Sequence, residues 1–367
     1  MPGHHGCMLS NSASPVPPAG RTAVVFGACG HTGRFVVAEL HRRGYRLVLS
    51  GRDQDKLRSL GAQYPDAELR AASAGDARSL DRALAGAAVV INCAGPFIDT
   101  AGPLIEAALR SGGHYLDVAA EQRVAMAAFD RYEDRARDAG LVIMPSVAYY
   151  GGLGDLLATA AMGDWDNADE IRIGIALDSW LPTLGTRETG RSNSGHHVMF
   201  TGGRYLPLPE PTATGSWDFP APFGRLDVSE LGTADQVTIP RHLATPAVRV
   251  WMNDAPLRDI GNPATPAPVP VPTDEKGRSA QVFLTDVVVR RGAAERHACA
   301  RGRDIYAVTA PLVAEAADRI LDGRCKAAGV VSAGEAFDAE GFLTALSPDH
   351  VTWEKAAESK VVISVVT

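Results

Sequence analysis

TAVVFGACGHTGRF, residues 22–35, sets a run of strand-forming residues against a cluster of glycines and then returns at once to apolar sequence. Gly27, Gly30 and Gly33 stand at GxxGxxG spacing between what reads as a first strand and a first helix. Such a tight turn brings backbone N–H groups close to an anion, and side chains on it would obstruct that approach. The helix beginning near Thr32 aims its unpaired N–H groups and the positive end of its dipole at the same point. Gly27, Ala28, Gly30, His31, Thr32 and Gly33 are therefore expected to hold the diphosphate of a dinucleotide.

Working outward, the first 150 residues repeat one rhythm, in which a short apolar run precedes an amphipathic segment. TAVVFGA leads into GRFVVAELHRRG, RLVLSGR into DQDKLRSLGAQ, AELRAAS into RSLDRALAG, AAVVINCAG into AGPLIEAALRSGG, HYLDVAA into EQRVAMAAFDRYEDRARDAG, and LVIMPSV into GGLGDLLATAAMG. Strands and helices in this alternation predict an α/β fold, a Rossmann-type doubly wound parallel sheet covered by helices on both faces. After residue 163 the rhythm changes. EIRIGIALDSW, QVTIP, AVRVWMN and AQVFLTDVVVRRG read as strands of a mixed or antiparallel sheet. Between them lie proline-rich sections at 206–224 and 262–274, which read as long extended loops. The expected organisation is a flexible tail over 1–20, a dinucleotide-binding domain over 21–150, and an α+β substrate and dimerisation domain over 151–367. In the last, the helical segments at 304–323 and 338–346 are expected to pack back on the first domain.

Composition narrows the partners. The chain has 367 residues, 46% hydrophobic and 22% charged, with a formal net charge of -7. No long run of Lys and Arg is present, which argues against a nucleic-acid or membrane surface and for a small-molecule substrate. Cys7, Cys29, Cys93, Cys299 and Cys325 form no CxxC pair, and no HxxxH spacing occurs, so neither a disulfide framework nor a metal site is expected. The N-terminal residues lack a basic start and an apolar core, and no stretch approaches the ~18 apolar residues of a membrane span. A reducing cytoplasm is the expected compartment.

The end of the second strand discriminates between cofactors. An acidic residue about 20 positions beyond the glycines suits the ribose hydroxyl of NAD, whereas an Arg suits the 2′-phosphate of NADP. Here Ser50, Gly51 and Arg52 end the strand, followed by Asp53 as a helix cap and Lys56 one turn on. A guanidinium forms two parallel hydrogen bonds to a phosphate, so NADP(H) is the expected cofactor, held by Ser50, Gly51, Arg52 and Lys56. The fourth strand ends in VVINCAGPF. Ligands of an open parallel sheet lie beyond the carboxyl ends of its strands, which places Asn92, Cys93, Ala94, Gly95 and Pro96 along the cofactor. Cys93 is given no chemistry, because no base is identifiable beside it.

Catalytic candidates must line the same edge. Tyr115 and Asp117 come from HYLD at the fifth strand and Glu121 lies just beyond it, with packing, loop-holding and a helix N-terminus as their respective competing roles. Tyr149, Tyr150 and Asp155 mark the passage into the second domain, where Gly151, Gly152 and Gly154 are expected to permit hinge motion. His196, beside His197, is a further proton-donor candidate, with exposure in a polar loop as the competing reading. Arg187 and Arg191 are either a carboxylate clamp or exposed. The Tyr-x-x-x-Lys pair of extended short-chain dehydrogenases is absent, since none of Lys56, Lys276, Lys326, Lys355 and Lys360 follows a tyrosine by four.

GACGHTGRF, LSGRDQDKL, VVINCAGPF and GPLIEAALRSGGHYLDVAAE, in that order and spacing, resemble the NADP-binding domain of the saccharopine dehydrogenase-like oxidoreductases, which include trans-acting enoyl reductase-like members. The resemblance covers about residues 21–150. Beyond it, GTRETGRSNSG and KAAGVVSAGEAFD resemble a loop-helix and a C-terminal segment of some members. It implies reduction of a C=N or activated C=C bond of a small metabolite, or the reverse oxidation, and is compatible with a homodimer through the second sheet. The competing expectation is a non-catalytic NADP(H)-binding scaffold or sensor.

Overall fold

The computed structural model describes residues 20–268, 274, 276–325 and 327–360. The tail expected over 1–20 therefore falls, Gly20 apart, outside the described residues, as do residues 269–273 of the second proline-rich section. The first part of the chain runs β1 (Thr22–Phe26), α1 (His31–Arg42), β2 (Arg46–Gly51), α2 (Gln54–Gly61), β3 (Glu68–Ala71), α3 (Ala77–Leu84), β4 (Val89–Asn92), α4 (Phe97–Ser111), β5 (His114–Asp117), α5 (Gln122–Asp138) and β6 (Val142–Met144). There follow α6 (Leu153–Met162), β7 (Glu170–Leu177), α7 (Leu184–Asn193), β8 (Val198–Thr201), β9 (Arg204–Pro207), β10 (Thr214–Phe219), β11 (Gly224–Leu231), α8 (Asp235–Thr238), β12 (Val248–Asn253) and α9 (Asp254–Gly261). The chain ends with β13 (Val282–Arg291), β14 (Ala294–Arg303), α10 (Thr309–Leu321), β15 (Gly329–Val330), α11 (Ala333–Ala336), α12 (Ala339–Leu346) and β16 (Val351–Lys360).

The first sheet has the order β15-β6-β5-β4-β1-β2-β3, with every pairing parallel. Ala23, Val24 and Val25 are all fully buried, as a strand covered on both faces requires. Asp53 and Asp76 start α2 and α3 by accepting two backbone N–H groups each. Strand order reverses between β1 and β4, which opens the crevice in which sheets of this type bind ligands. The six strands read from the sequence are all present. The seventh, β15, comes from the far end of the chain.

The second sheet has nine strands in the order β10-β11-β12-β7-β13-β14-β16, with β8 and β9 branching from β12. It is mixed, because β12 runs parallel to β7 while its other pairings are antiparallel. One expected strand is corrected: QVTIP forms the end of α8 and a 3-10 turn over Ile239–Arg241. A short buried apolar run has no period that separates strand from helix, and this one lies under β12. The section at 206–224 is also more ordered than its prolines suggest. It contains β10, an edge strand whose prolines flank the ladder without entering it.

Two helices join the sheets. α6 is buried along nearly its whole length between the second sheet and α11 and α12. α10 lies against α1, pinned by Arg43, whose guanidinium meets Glu39 at 2.7 Å, Glu315 at 2.9 Å and Asp318 at 2.7 Å. Asp318 also accepts from the Tyr45 hydroxyl at 2.7 Å and pairs with Arg21. Among the described residues no helix is long and apolar enough to cross a membrane. Arg43 is 12% exposed, and its removal takes one guanidinium from each of three poorly solvated carboxylates, which keep Arg42, Arg319 and Arg21 as partners. Arg43→Ala is expected to cost about 2 kcal/mol, read as a lower urea midpoint at unchanged slope.

Candidate cofactor and active site

The glycine turn is tight for a steric reason. Gly27 has φ +82°, and a Cβ there would stand 2.8 Å from the Ala94 nitrogen and the Cys93 carbonyl carbon. A Cβ on Gly33 would overlap the Gly27 carbonyl oxygen, so α1 packs onto the turn only because both residues lack side chains. Gly27 and Ala28 donate to the Ser50 carbonyl at 2.9 and 3.2 Å, tying the turn to the end of β2. Gly30 caps α1 without a side chain, which leaves the first N–H groups of His31, Thr32 and Gly33 without helical partners.

At the end of β2, Ser50 is buried while Arg52 is exposed, with no hydrogen bond or ion pair to any described residue. Asp53 caps α2 and lies 3.4 Å from Lys56 Nζ. The structure adds a residue that the sequence analysis missed. Arg34, exposed on the first turn of α1, donates from Nε to the Cys29 carbonyl at 3.2 Å. Burial raises the Cys29 thiol pKa, and Arg34, Asp53 and Lys56 all act on it. Its signal was available, since an Arg directly follows the third glycine.

The ends of β4 and β5 are braced from inside. Asn92 donates to Thr100 Oγ1 at 3.1 Å and to the Tyr115 hydroxyl at 3.2 Å, and accepts from the Ala94 N–H at 3.0 Å. Tyr115 donates to Asp117 at 3.0 Å, and Asp117 also accepts the Ala119 and Ser146 N–H groups. Tyr115 and Asp117 are fully buried and consumed by these contacts, which corrects their expected catalytic role: they hold the loop that carries Ala94, Gly95 and Pro96. Burial pushes Asp117 upward against those hydrogen bonds, and pushes the Cys93 thiol far up, leaving it inert. Glu121 is also interior. It accepts from the Phe97 N–H at 3.1 Å, the Ala120 N–H at 3.0 Å and Thr189 Oγ1 at 3.3 Å. It thereby fastens α7, whose Thr189 lies over Gly95, to the carboxyl edge of the first sheet.

On the second-domain side the candidates separate. Tyr149 is buried and its hydroxyl accepts from Thr285 at 3.2 Å. Asp155 is buried away from the edge, with His242 Nε2 at 2.6 Å and the Gly334 N–H at 2.7 Å, and His196 is exposed. Both therefore leave the site. The Tyr150 hydroxyl is enclosed, with no hydrogen-bond partner among the described residues, and its ring lies 5.0 Å from Tyr149 and 6.0 Å from Trp180. His31, read as a turn residue, turns its ring edge-on to Tyr306 at 5.1 Å, with Nε2 enclosed and unpartnered. The Tyr306 hydroxyl receives Trp180 Nε1 at 3.0 Å and the Thr183 N–H at 3.3 Å, and pairs with Thr186 Oγ1 at 2.9 Å. Arg187 is neither exposed nor a clamp, since it donates to the carbonyls of Ile260, Asn262 and Thr265.

The expected hinge is closely packed. A Cβ on Gly151 would meet Ser146 at 2.7 Å, one on Gly152 would meet Ala148 at 2.8 Å, and one on Gly154 would overlap the Asp235 carboxylate. Asp235 accepts from the Gly151 N–H at 3.0 Å and from Thr233 at 2.7 Å. These glycines serve close approach and not motion.

Residues 23–144 match the family model of the saccharopine dehydrogenase NADP-binding domain. The first domain therefore carries the sequence pattern of a saccharopine dehydrogenase NADP-binding domain. NADP(H) is accordingly its cofactor. A human saccharopine dehydrogenase-like oxidoreductase is 31% identical over 144 residues, 34% of this chain and 34% of that protein. A trans-acting enoyl reductase of Mycobacterium tuberculosis is 31% identical over 127 residues, 33% of this chain and 30% of that protein. The chain thus matches about a third of the length of these curated relatives. The saccharopine dehydrogenase (L-Glu forming) of Saccharomyces cerevisiae, in its apo form, superposes with a TM-score of 0.62 at 11% identity, covering 92% of this chain and 100% of that one. That likeness shows the fold of both domains together.

The residues of the NADP-binding domain fit the cofactor: a turn that any Cβ would fill, unpaired N–H groups at the start of α1, and an exposed cation at the end of β2. Gly33→Ala is expected to lower stability by at least about 2 kcal/mol and to weaken NADPH binding with it, read by thermal melting and by titration. A second prediction concerns pH. Burial pushes the Asp235 carboxyl up to about 6 against its hydrogen bonds from Thr233 and Gly151. The folded protein then holds a proton that the unfolded chain has already lost, so this contribution fades as pH rises from about 4 through 6. Asp235→Asn keeps an acceptor for the Gly151 N–H, and is expected to gain about 3 kcal/mol on wild type between pH 4 and 7 in urea unfolding.

Proposed function

We propose that the protein is an NADP(H)-dependent oxidoreductase that reduces a C=N or activated C=C bond of a small metabolite, or runs the reverse oxidation. The observation that carries this reading is the unpaired Arg52 guanidinium beside a glycine turn closed to side chains. When bound, NADP(H) supplies or takes up a hydride. Gly27, Ala28, Gly30, His31, Thr32 and Gly33 present backbone to the diphosphate, while Arg52, with Arg34 and Lys56, meets the 2′-phosphate. Ala94, Gly95 and Pro96 give the redox end a flat approach, kept rigid by the brace of Asn92, Tyr115 and Asp117. α7 roofs that loop through Thr189 and Glu121, which excludes water from the reacting atoms. The substrate is a small molecule held against the second domain, and the free thiols of Cys29, Cys93, Cys299 and Cys325 suit a reducing cytoplasm.

Titration with NADPH and NADH tests the reading. Wild-type protein is expected to bind NADPH in preference to NADH. Arg52→Ala is expected to weaken NADPH by about 1.5 to 3 kcal/mol, the range for a charged hydrogen bond, and to leave NADH nearly unchanged. Equal losses for both would remove the 2′-phosphate role, and absence of NADPH binding at high micromolar cofactor would end the proposal.

A further inference from the structure

A cavity of about 300 Å³ lies between α1, the start of α10 and the segments at 276–278 and 349–350. Phe35, Ala38, Glu39 and Arg42 stand at i, i+3, i+4 and i+7, so one stripe of α1 forms a wall of it. Val308, Ala310 and Pro311 form a second, apolar wall. None of the residues that meet the diphosphate or the 2′-phosphate lines this cavity. It is a second enclosed space, bounded by the helix that starts at the glycine turn.

Its rim is cationic in a chain whose formal net charge is -7. Arg42, Lys276, Arg278 and Arg303 line it against two carboxylates, Glu39 and Asp349. Glu39 is already taken by Arg42 at 2.6 Å and by Arg43 at 2.7 Å. Asp349 is exposed and acts on Arg42. Lys276 Nζ and Arg278 Nη1 both donate to the Asp349 carbonyl oxygen, at 2.7 and 3.3 Å, which holds two like charges beside one neutral acceptor. Arg278 also meets Asp274 at 2.6 Å, whereas Lys276 and Arg303, both exposed, have no carboxylate partner among the described residues. Like charges gathered in this way repel, and an anion set among them removes the repulsion. Burial pushes the His350 imidazole down to about 4, with Glu39 opposing and Lys276, Arg42 and Arg43 adding to the shift. At neutral pH that ring therefore adds hydrogen bonding to the cavity without charge.

We propose that this cavity binds a small phosphomonoester with a compact apolar body, its phosphate at the rim of Lys276, Arg278 and Arg303 and its body against Phe35, Ala38 and Pro311. A phosphomonoester carries close to two negative charges at neutral pH, which matches the two cations that lack carboxylate partners. A guanidinium also takes two of its oxygens in parallel. A carboxylate brings one charge and leaves one of those cations uncompensated. The volume stands at the lower end of the range for small-molecule sites, which suits one compact group and not a dinucleotide. Phe35 packs edge-on to His31 at 5.4 Å, so the ligand would sit one aromatic ring away from the glycine turn.

The probe is phenyl phosphate, with benzoate and inorganic phosphate for comparison, titrated by calorimetry at neutral pH on the full chain. The cofactor site also takes phosphate, so each titration is run with and without saturating NADP+, and Arg52→Ala is included. Wild-type protein is expected to bind phenyl phosphate about tenfold more tightly than benzoate, which has one charge, and than inorganic phosphate, which has no apolar body, with the same affinity whether or not NADP+ is present. Lys276→Ala combined with Arg303→Ala removes two exposed side chains, and is expected to weaken phenyl phosphate at least about tenfold. Ala38→Trp fills the cavity from an exposed position and is expected to abolish binding. Both proteins are expected to keep the wild-type melting temperature and NADPH affinity, and Arg52→Ala to bind phenyl phosphate like wild type. The proposal is overturned if wild-type protein does not bind phenyl phosphate, if benzoate or inorganic phosphate binds as tightly, or if the double variant or Ala38→Trp binds it like wild type. Loss of binding in NADP+ or in Arg52→Ala would put the phosphate in the cofactor site and overturn it equally.

Discussion

The contact on which the rest of the molecule depends is the one between Gly33 and the carbonyl of Gly27, where α1 leaves the first strand with no side chain in between. It sets the direction of α1, and with it the point at which unpaired N–H groups emerge. The same turn is clamped from two sides, by the Ser50 carbonyl and by the Cys93–Ala94 backbone. β1, β2 and β4 are thus locked together at their carboxyl ends, where the switch in strand order opens the crevice. The site inherits its rigidity from backbone geometry before any polar side chain is considered.

The second constraint is that the two sheets are not free to move apart. Gln122, at the start of α5, bonds with Val198 N–H and carbonyl and with Gln236, so the first sheet reads the second through paired amides. Glu121 fastens α7, Arg43 fastens α10, and β15 adds an edge strand to the first sheet from a segment between β14 and β16 of the second. One hydrophobic core runs through both, from Val25 and Leu49 to Ile173 and Val287. Opening of a cleft between rigid halves would break these contacts together.

The buried carboxylates show how burial can separate a residue type from the chemistry its type suggests. Tyr115, Asp117 and Glu121 sit on the edge where a catalytic acid would be useful, yet every polar atom on them is directed to a neighbouring loop or to one another. Tyr150 and His31, whose sequence context is less telling, are among the buried groups without partners in the described residues, as are Ser50, Ser146 and Ser332.

The sequence by itself determined the first domain, because its signals are local. Apolar runs, caps such as Asp53 and glycines such as Gly27 and Gly33 act within a few residues of chain, and the Arg at the end of the second strand is placed by the strand alone. The second sheet was legible only in part. β7, β12 and β13 carry strong β-branched patterns, whereas QVTIP is too short to show a period, and β10 lies among prolines that only an edge position tolerates. What the tertiary structure alone decided was the partnering of polar atoms. Whether Asp117 meets a substrate or the Ser146 N–H, whether Arg187 meets a carboxylate or the carbonyls near residue 262, and whether Tyr150 is bonded or left bare depend on segments distant in the chain. Hydrogen bonds are short and directional, and no pattern along one strand or helix records which distant group arrives to make them.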